Sequence, residues 1–229
     1  MRRILDFENP VFQFLGRVGD LMITNFLFLL CCVPVVTAGA SFAAMTRVTQ
    51  GIVNDMGSGP FKTFFKAFRA NFRQATALWV ASRVIFGAMA CNLLLIGTYV
   101  SGTAALVLRC AVWVFTAAVL MVGSCMFPLI VRYENTLKEH CFNAMILAVG
   151  KLPRVAAMTL MNVLPLLLAY FSIAAFLRSL AFWVIIGCAV MNYLNSCVMR
   201  GVLRQLEKAD APETDAREMD RGEEKSGDA

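Results

Sequence analysis

Apolar residues in this chain gather into runs longer than a water-soluble fold uses, and the polar stretches between them repeat at helical spacing. Runs at about 21–45, 75–99, 103–131, 155–177 and 180–201 are each long enough to span roughly 30 Å of hydrocarbon, which takes about 20 helical residues. The first contains Pro34 and Gly39, which kink or break a helix. Residues 21–53 therefore make either one bent crossing or two halves that dip in and return. Between and before the runs lie amphipathic segments. In 7–19, Phe7, Val11, Phe14, Leu15 and Val18 recur at helical spacing behind a cap at Asn9 and Pro10. A turn at Gly57-Ser58-Gly59-Pro60 opens a second such helix near 60–74. There Phe61, Phe64, Phe65, Phe68 and Phe72 share one face, and Lys62, Lys66, Arg69 and Arg73 form a stripe beside it. The rings can sink into the interface while the cations stay at the phosphates, or the rings can pack on neighbouring helices. A third polar stretch, 132–154, predicts a short helix near 134–150, ended by Pro153.

The pattern predicts an all-α, polytopic transmembrane helix bundle of about five crossings with interfacial amphipathic helices. It divides into an N-terminal interfacial helix at 1–20, a bundle at 21–202 and a disordered, acidic cytoplasmic tail at 203–229. Composition sharpens this picture. Of 229 residues 59% are hydrophobic and only 16% charged, with mean hydropathy +0.68, where soluble domains carry about 25% charged residues. No carboxylate occurs between Asp55 and Glu134, or between Glu139 and Glu207. The net charge of +6 joins two opposite regions: 17 Lys/Arg against 6 Asp/Glu in residues 1–206, and 4 against 9 in residues 207–229. The cations of the body suit anionic lipid headgroups rather than nucleic acid. Cation-rich stretches at 46–74, 132–154 and after Arg200 are expected to face the cytoplasm, with the C-terminus inside. Five crossings put the N-terminus outside; folding back at 21–53 puts it inside. A weak repeat of surface helix, crossing, crossing at 60–131 and 134–202 follows from the spacing.

Candidate chemistry is sparse. Eight cysteines form no C-x-x-C pair, and His140 is the one histidine, so buried thiols acting as small hydrophobes are expected rather than a metal site or disulfides. His140, Glu134 and Glu139 lie together without a marked nucleophile, and no Gly-Lys-Ser/Thr phosphate loop follows Gly57–Pro60. Catalysis and cofactor binding are not expected. Asp20 at the mouth of the first run and Arg83 inside the second are the intramembrane charges, and they form a conceivable pair; Arg83 can also snorkel to the surface. Asn192 and Asn195 share a helix face with Met199, and serve either helix packing or a polar solute path.

The block FENPVFQFLGRVGD (7–20), PVVTAGAS (34–41), FKTFFKAFRANFRQAT (61–76) and RYENTLKEHCFNAMILAVGKLPR (132–154), in this order, resembles the YesL-like family. These are small bacterial integral membrane proteins that constitute a domain of unknown function. The likeness covers about residues 5–200 and leaves out the acidic tail. It implies a multi-pass protein of the bacterial plasma membrane, associated with carbohydrate uptake and its sensor systems, and supplies no catalytic residues. Two functional classes lead: a non-catalytic accessory or regulatory protein contacting a membrane transporter or sensor through 61–73 and 132–154, and a small solute transporter or channel. An enzyme acting on lipid is the third.

Overall fold

A computed structural model describes residues 10–56 and 59–203. The expected acidic tail, the first residues of the 7–19 helix, and Gly57 and Ser58 of the turn lie outside the described residues. Among these residues eight helices follow one another: α1 Pro10–Cys32, α2 Ala38–Val53, α3 Pro60–Tyr99, α4 Gly102–Ile130, α5 Leu137–Gly150, α6 Leu152–Phe171, α7 Ile173–Arg178 and α8 Leu180–Leu203. Among the described residues there is no strand, and five helices (α1 from Phe12 onward, α3, α4, α6 and α8) are long and apolar enough to cross a membrane. The chain is thus an all-helical, multi-pass membrane protein by length and composition.

Residues 21–53 fold back, so the first apolar run is two helices. Pro34 has no N–H to extend α1, and the chain turns through the 3-10 segment Val35–Thr37. Its orphaned carbonyls are taken locally, as a lipid surrounding demands. Val33 N–H reaches the Leu30 carbonyl at 3.4 Å, and the Thr37 hydroxyl donates to the Cys31 carbonyl at 2.6 Å. α2 then runs antiparallel to α1. With 16 residues it is about 24 Å long, shorter than the five helices that can span a membrane, and most of it is buried. Its small residues Gly39, Ala40, Ser41, Ala43 and Ala44 allow that burial, because helices can approach closely only over short side chains.

α3 differs from the expected pair of elements, a surface helix and a separate crossing. It is one 40-residue helix, about 60 Å long, begun by Pro60 in its first turn. Polarity changes near Gln74, but nothing there breaks backbone hydrogen bonding. Likewise residues 10–19 are the opening turns of α1 rather than an independent interfacial helix. The two halves of the proposed repeat consequently differ: the first surface segment is continuous with its crossing, while α5 is separate from α6.

Among the described residues the helices meet in two large apolar cores, beside a small cluster of Ala43, Ala75 and Val131. One joins Leu21, Leu27, Met45, Val48, Phe64 and Ala189 from α1, α2, α3 and α8. The other joins Cys125, Leu129, Leu147, Met158, Met199 and Val202 from α4, α5, α6 and α8. At one end of the molecule Arg17 pairs with Asp55 at 2.6 Å, and Arg200 donates to the Val53 carbonyl at 2.5 Å. The start of α1, the end of α2 and the end of α8 therefore lie on the same side.

Gly39 marks the tightest approach. A Cβ there would overlap the Ala75 carbonyl and come within 2.5 Å of Trp79 Cβ. Gly39→Ala is expected to cost about 1–3 kcal/mol through overpacking, lowering the unfolding temperature of detergent-purified protein. Gly87→Ala, with open space around it, is the control and should leave that temperature unchanged or slightly raised.

Candidate functional site

Polar side chains form a seam inside the bundle. Thr49 of α2 donates its hydroxyl to Asn192 Oδ1 at 2.6 Å and lies 2.9 Å from Ser196 Oγ. Asn192 Nδ2 in turn donates to Thr46 Oγ1 at 3.1 Å. A second chain links three helices: Asn195 Nδ2 of α8 donates to Asn162 Oδ1 of α6 at 2.6 Å, and Asn162 Nδ2 donates to Ser124 Oγ of α4 at 3.2 Å. Gln50 Nε2 donates to the Pro128 carbonyl at 3.2 Å. Between the two chains lies a small cavity of about 10 Å³, edged by Phe42 and Pro128 as well as the seam residues. A solute path needs far more room than this, so the geometry of Asn192 and Asn195 is that of helix packing.

A third contact corrects a distorted helix. α8 contains a π turn at Trp183–Gly187, where the wider winding displaces backbone partners. Asn25 of α1, fully buried, fills the gap with both ends of its amide. Its Nδ2 donates to the Val184 carbonyl at 2.7 Å and the Trp183 carbonyl at 3.2 Å, and its Oδ1 accepts from Ala189 N–H at 3.0 Å. In hydrocarbon such groups have no water to turn to.

The structure separates Asp20 from Arg83. Asp20 lines an open cavity of about 380 Å³ together with Arg17 and Asp55, at the end where those two pair. Arg83 sits on the outer face of α3 with its guanidinium 4.2 Å from the Trp79 ring and 5.3 Å from the Phe86 ring. The conceivable Asp20–Arg83 pair does not form, because Asp20 lies beside Pro60 and Thr63 at the start of α3, about 30 Å along the helix from Arg83; Arg83 stacks instead on Trp79, one turn earlier.

The aromatic row on α3 divides. Phe64 is fully buried in the first core, Phe65 and Phe68 are half-buried, and Phe61 and Phe72 are exposed. The rings touch in sequence, with Phe61–Phe65 at 4.9 Å and Phe68–Phe72 at 5.6 Å. Lys62, Lys66, Arg69 and Arg73 are all exposed beside them. Packing thus anchors the middle of the row, and the cations point outward from a helix that cannot roll.

α5 carries features that sequence reasoning passed over. A capping box starts it: Thr136 N–H donates to Glu139 Oε2 at 2.8 Å while Thr136 Oγ1 accepts from Glu139 N–H at 3.4 Å. Its outer face is a row of exposed Phe142, Met145, Ile146 and Val149, at the i, i+3, i+4, i+7 spacing that was available to be read. Its inner face holds His140, 1% exposed, with no hydrogen-bond partner on either ring nitrogen among the described residues. Thr46, Thr49, Gln50 and Ser124 were also passed over; the only signal was polar residues recurring about a turn apart inside apolar runs.

Residues 21–93, from the middle of α1 to late α3, match a family model described as "Protein of unknown function, DUF624". No curated protein matches the chain, and no solved structure does. The match takes in the buried α2, Asn25 and the cationic stripe of α3.

Two outcomes follow from this geometry. Asn25→Leu leaves the π turn's carbonyls and the Ala189 N–H unpaired and is expected to cost about 1–3 kcal/mol. Asn92→Leu, where the amide reaches only Ala88 of its own helix, should be near neutral; thermal unfolding of the two variants side by side checks this. Burial pushes the His140 pKa below its ordinary 6.5, against the opposing pull of Glu139. The folded state then binds fewer protons than the unfolded one, so the full stability is present above about pH 6.5 and is lost as pH falls below it. His140→Phe should flatten that slope in melting curves taken from pH 8 to 5.

Proposed function

We propose that this chain is a non-catalytic accessory or regulatory protein of the bacterial cell membrane, of the YesL-like kind, serving carbohydrate uptake or its sensing. The observation that carries the reading is the outward row of Lys62, Lys66, Arg69 and Arg73 on a helix fixed by buried Phe64. A charged face held at constant orientation suits recognition, since little ordering is left to be done when a partner or an anionic headgroup arrives. Positive-inside asymmetry assigns this end to the cytoplasm. Arg17, Asp55 and Arg200 gather there as well, so both ends of the described chain are cytoplasmic in this reading. The exposed apolar row of α5 extends the contact surface to a partner's membrane-facing flank.

A small transporter or channel is the second reading, favoured by the polar seam at the centre of the bundle. Crosslinking in native membranes separates the two. The accessory reading expects capture of a transporter or sensor subunit through residues 61–73, and at least a tenfold loss of capture when the four cations become Gln. Solute flux through proteoliposomes holding only this chain, with no neighbour captured in cells, would overturn it.

A further inference from the structure

We propose that the small cavity in the polar seam is a binding site for a single monovalent cation of sodium size. The one side-chain atom there without a partner among the described residues is an oxygen. Asn195 is 5% exposed, lines the cavity, and its Oδ1 has no partner among the described residues, although its Nδ2 is engaged by Asn162. Ser124 lines the same cavity, and Pro128 has no N–H to give the Ser124 carbonyl four residues earlier in α4. Two further amide oxygens, Asn162 Oδ1 and Asn192 Oδ1, each accept one hydrogen bond and keep a second lone pair. Each amide nitrogen of the seam already has an acceptor.

An acceptor orphaned in a buried site destabilises the fold, and something that approaches with positive charge removes that cost. Size decides what. The cavity holds about 10 Å³, the lower edge of the roughly 10–15 Å³ that a water needs. A bare sodium ion is smaller than water; a potassium ion is about as large and fits less well. Charge decides valence. No carboxylate lies in the seam, and neutral oxygen dipoles can replace the hydration shell of a monovalent ion, whereas a divalent ion calls for carboxylates. Weak, millimolar affinity is the expected consequence. The site stands apart from the cationic face and holds for an accessory protein and a transporter alike.

Thermal unfolding of the full-length, detergent-purified protein tests it in chloride solutions of sodium, potassium and N-methyl-D-glucamine at constant ionic strength. A saturable rise in unfolding temperature with sodium, smaller with potassium and absent with the organic cation, is expected. Asn195→Leu should remove the sodium-dependent rise. Asn195→Asp should keep the fold and lower the half-saturating sodium concentration about tenfold at pH 8. Identical unfolding temperatures of the native protein in all three salts would overturn the proposal and leave a water in the cavity. A sodium response retained in Asn195→Leu, or an unshifted half-saturation in Asn195→Asp, would overturn it equally.

Discussion

A buried helix with polar side chains has only the protein to satisfy them, and α2 puts that constraint at the centre of the molecule. It is flanked by α1, α3, α4 and α8, and Ser41, Thr46, Thr49 and Gln50 are all buried on it. Each finds a partner. Ser41 Oγ reaches the Phe28 carbonyl at 2.9 Å, Gln50 reaches the Pro128 carbonyl, and the threonines meet Asn192 and Ser196. An average interhelical hydrogen bond in a membrane contributes only about 0.6 kcal/mol. Breaking one leaves its partner unsatisfied, at greater cost. The net effect is specificity more than stability: many packings would bury the same apolar surface, but few would pair these amides and hydroxyls as well.

The same constraint explains which parts of the fold could be read in advance. Long apolar runs, cationic flanks and the exclusion of carboxylates are one-body properties, set by whether a residue tolerates hydrocarbon. They gave the helical membrane class and the approximate place of α3, α4, α6 and α8 without reference to any contact, but not of the first span, Phe12–Cys32, which begins well before the apolar run at 21–45. The fold-back of 21–53 is a two-body property. Pro34 and Gly39 mark a break under either arrangement, and what selects the hairpin is that Gly39 fits against Ala75 and Trp79. No pattern within 34–53 names that partner. The continuity of α3 was obscured for a related reason: the change from amphipathic to apolar at residues 74–75 reads as a boundary, but a helix ends where its hydrogen bonds fail, not where its surroundings change.

The candidate residues show a similar division. Periodicity sets Lys62, Lys66, Arg69 and Arg73 in one stripe beside the phenylalanines, and all four side chains are exposed. Phe64 could not be told from Phe61 in the same stripe, yet one is buried and the other 61% exposed, because burial depends on where α1, α2 and α8 happen to reach. Asn25 and Asn92 are alike as isolated polar residues in apolar runs. One holds the π turn of another helix together; the other bonds only within its own.

α8 is fixed against α1 and α2 at three heights: by Asn25 at its π turn, by Thr46 and Thr49 at Asn192 and Ser196, and by Arg200 at Val53. Each contact is directional. A slip of α8 by one residue rotates every side chain on it by about 100° and breaks all three together. Relative motion within this group is therefore costly, whereas α4 and α6 join the seam through the fewer bonds of Ser124, Asn162 and Gln50. The cavity lies on that dividing line. Directional bonds therefore hold α1, α2 and α8 to one another, while the contact of α8 with α4 and α6 rests mainly on apolar packing of Met199 and Val202 against Cys125, Leu129 and Met158.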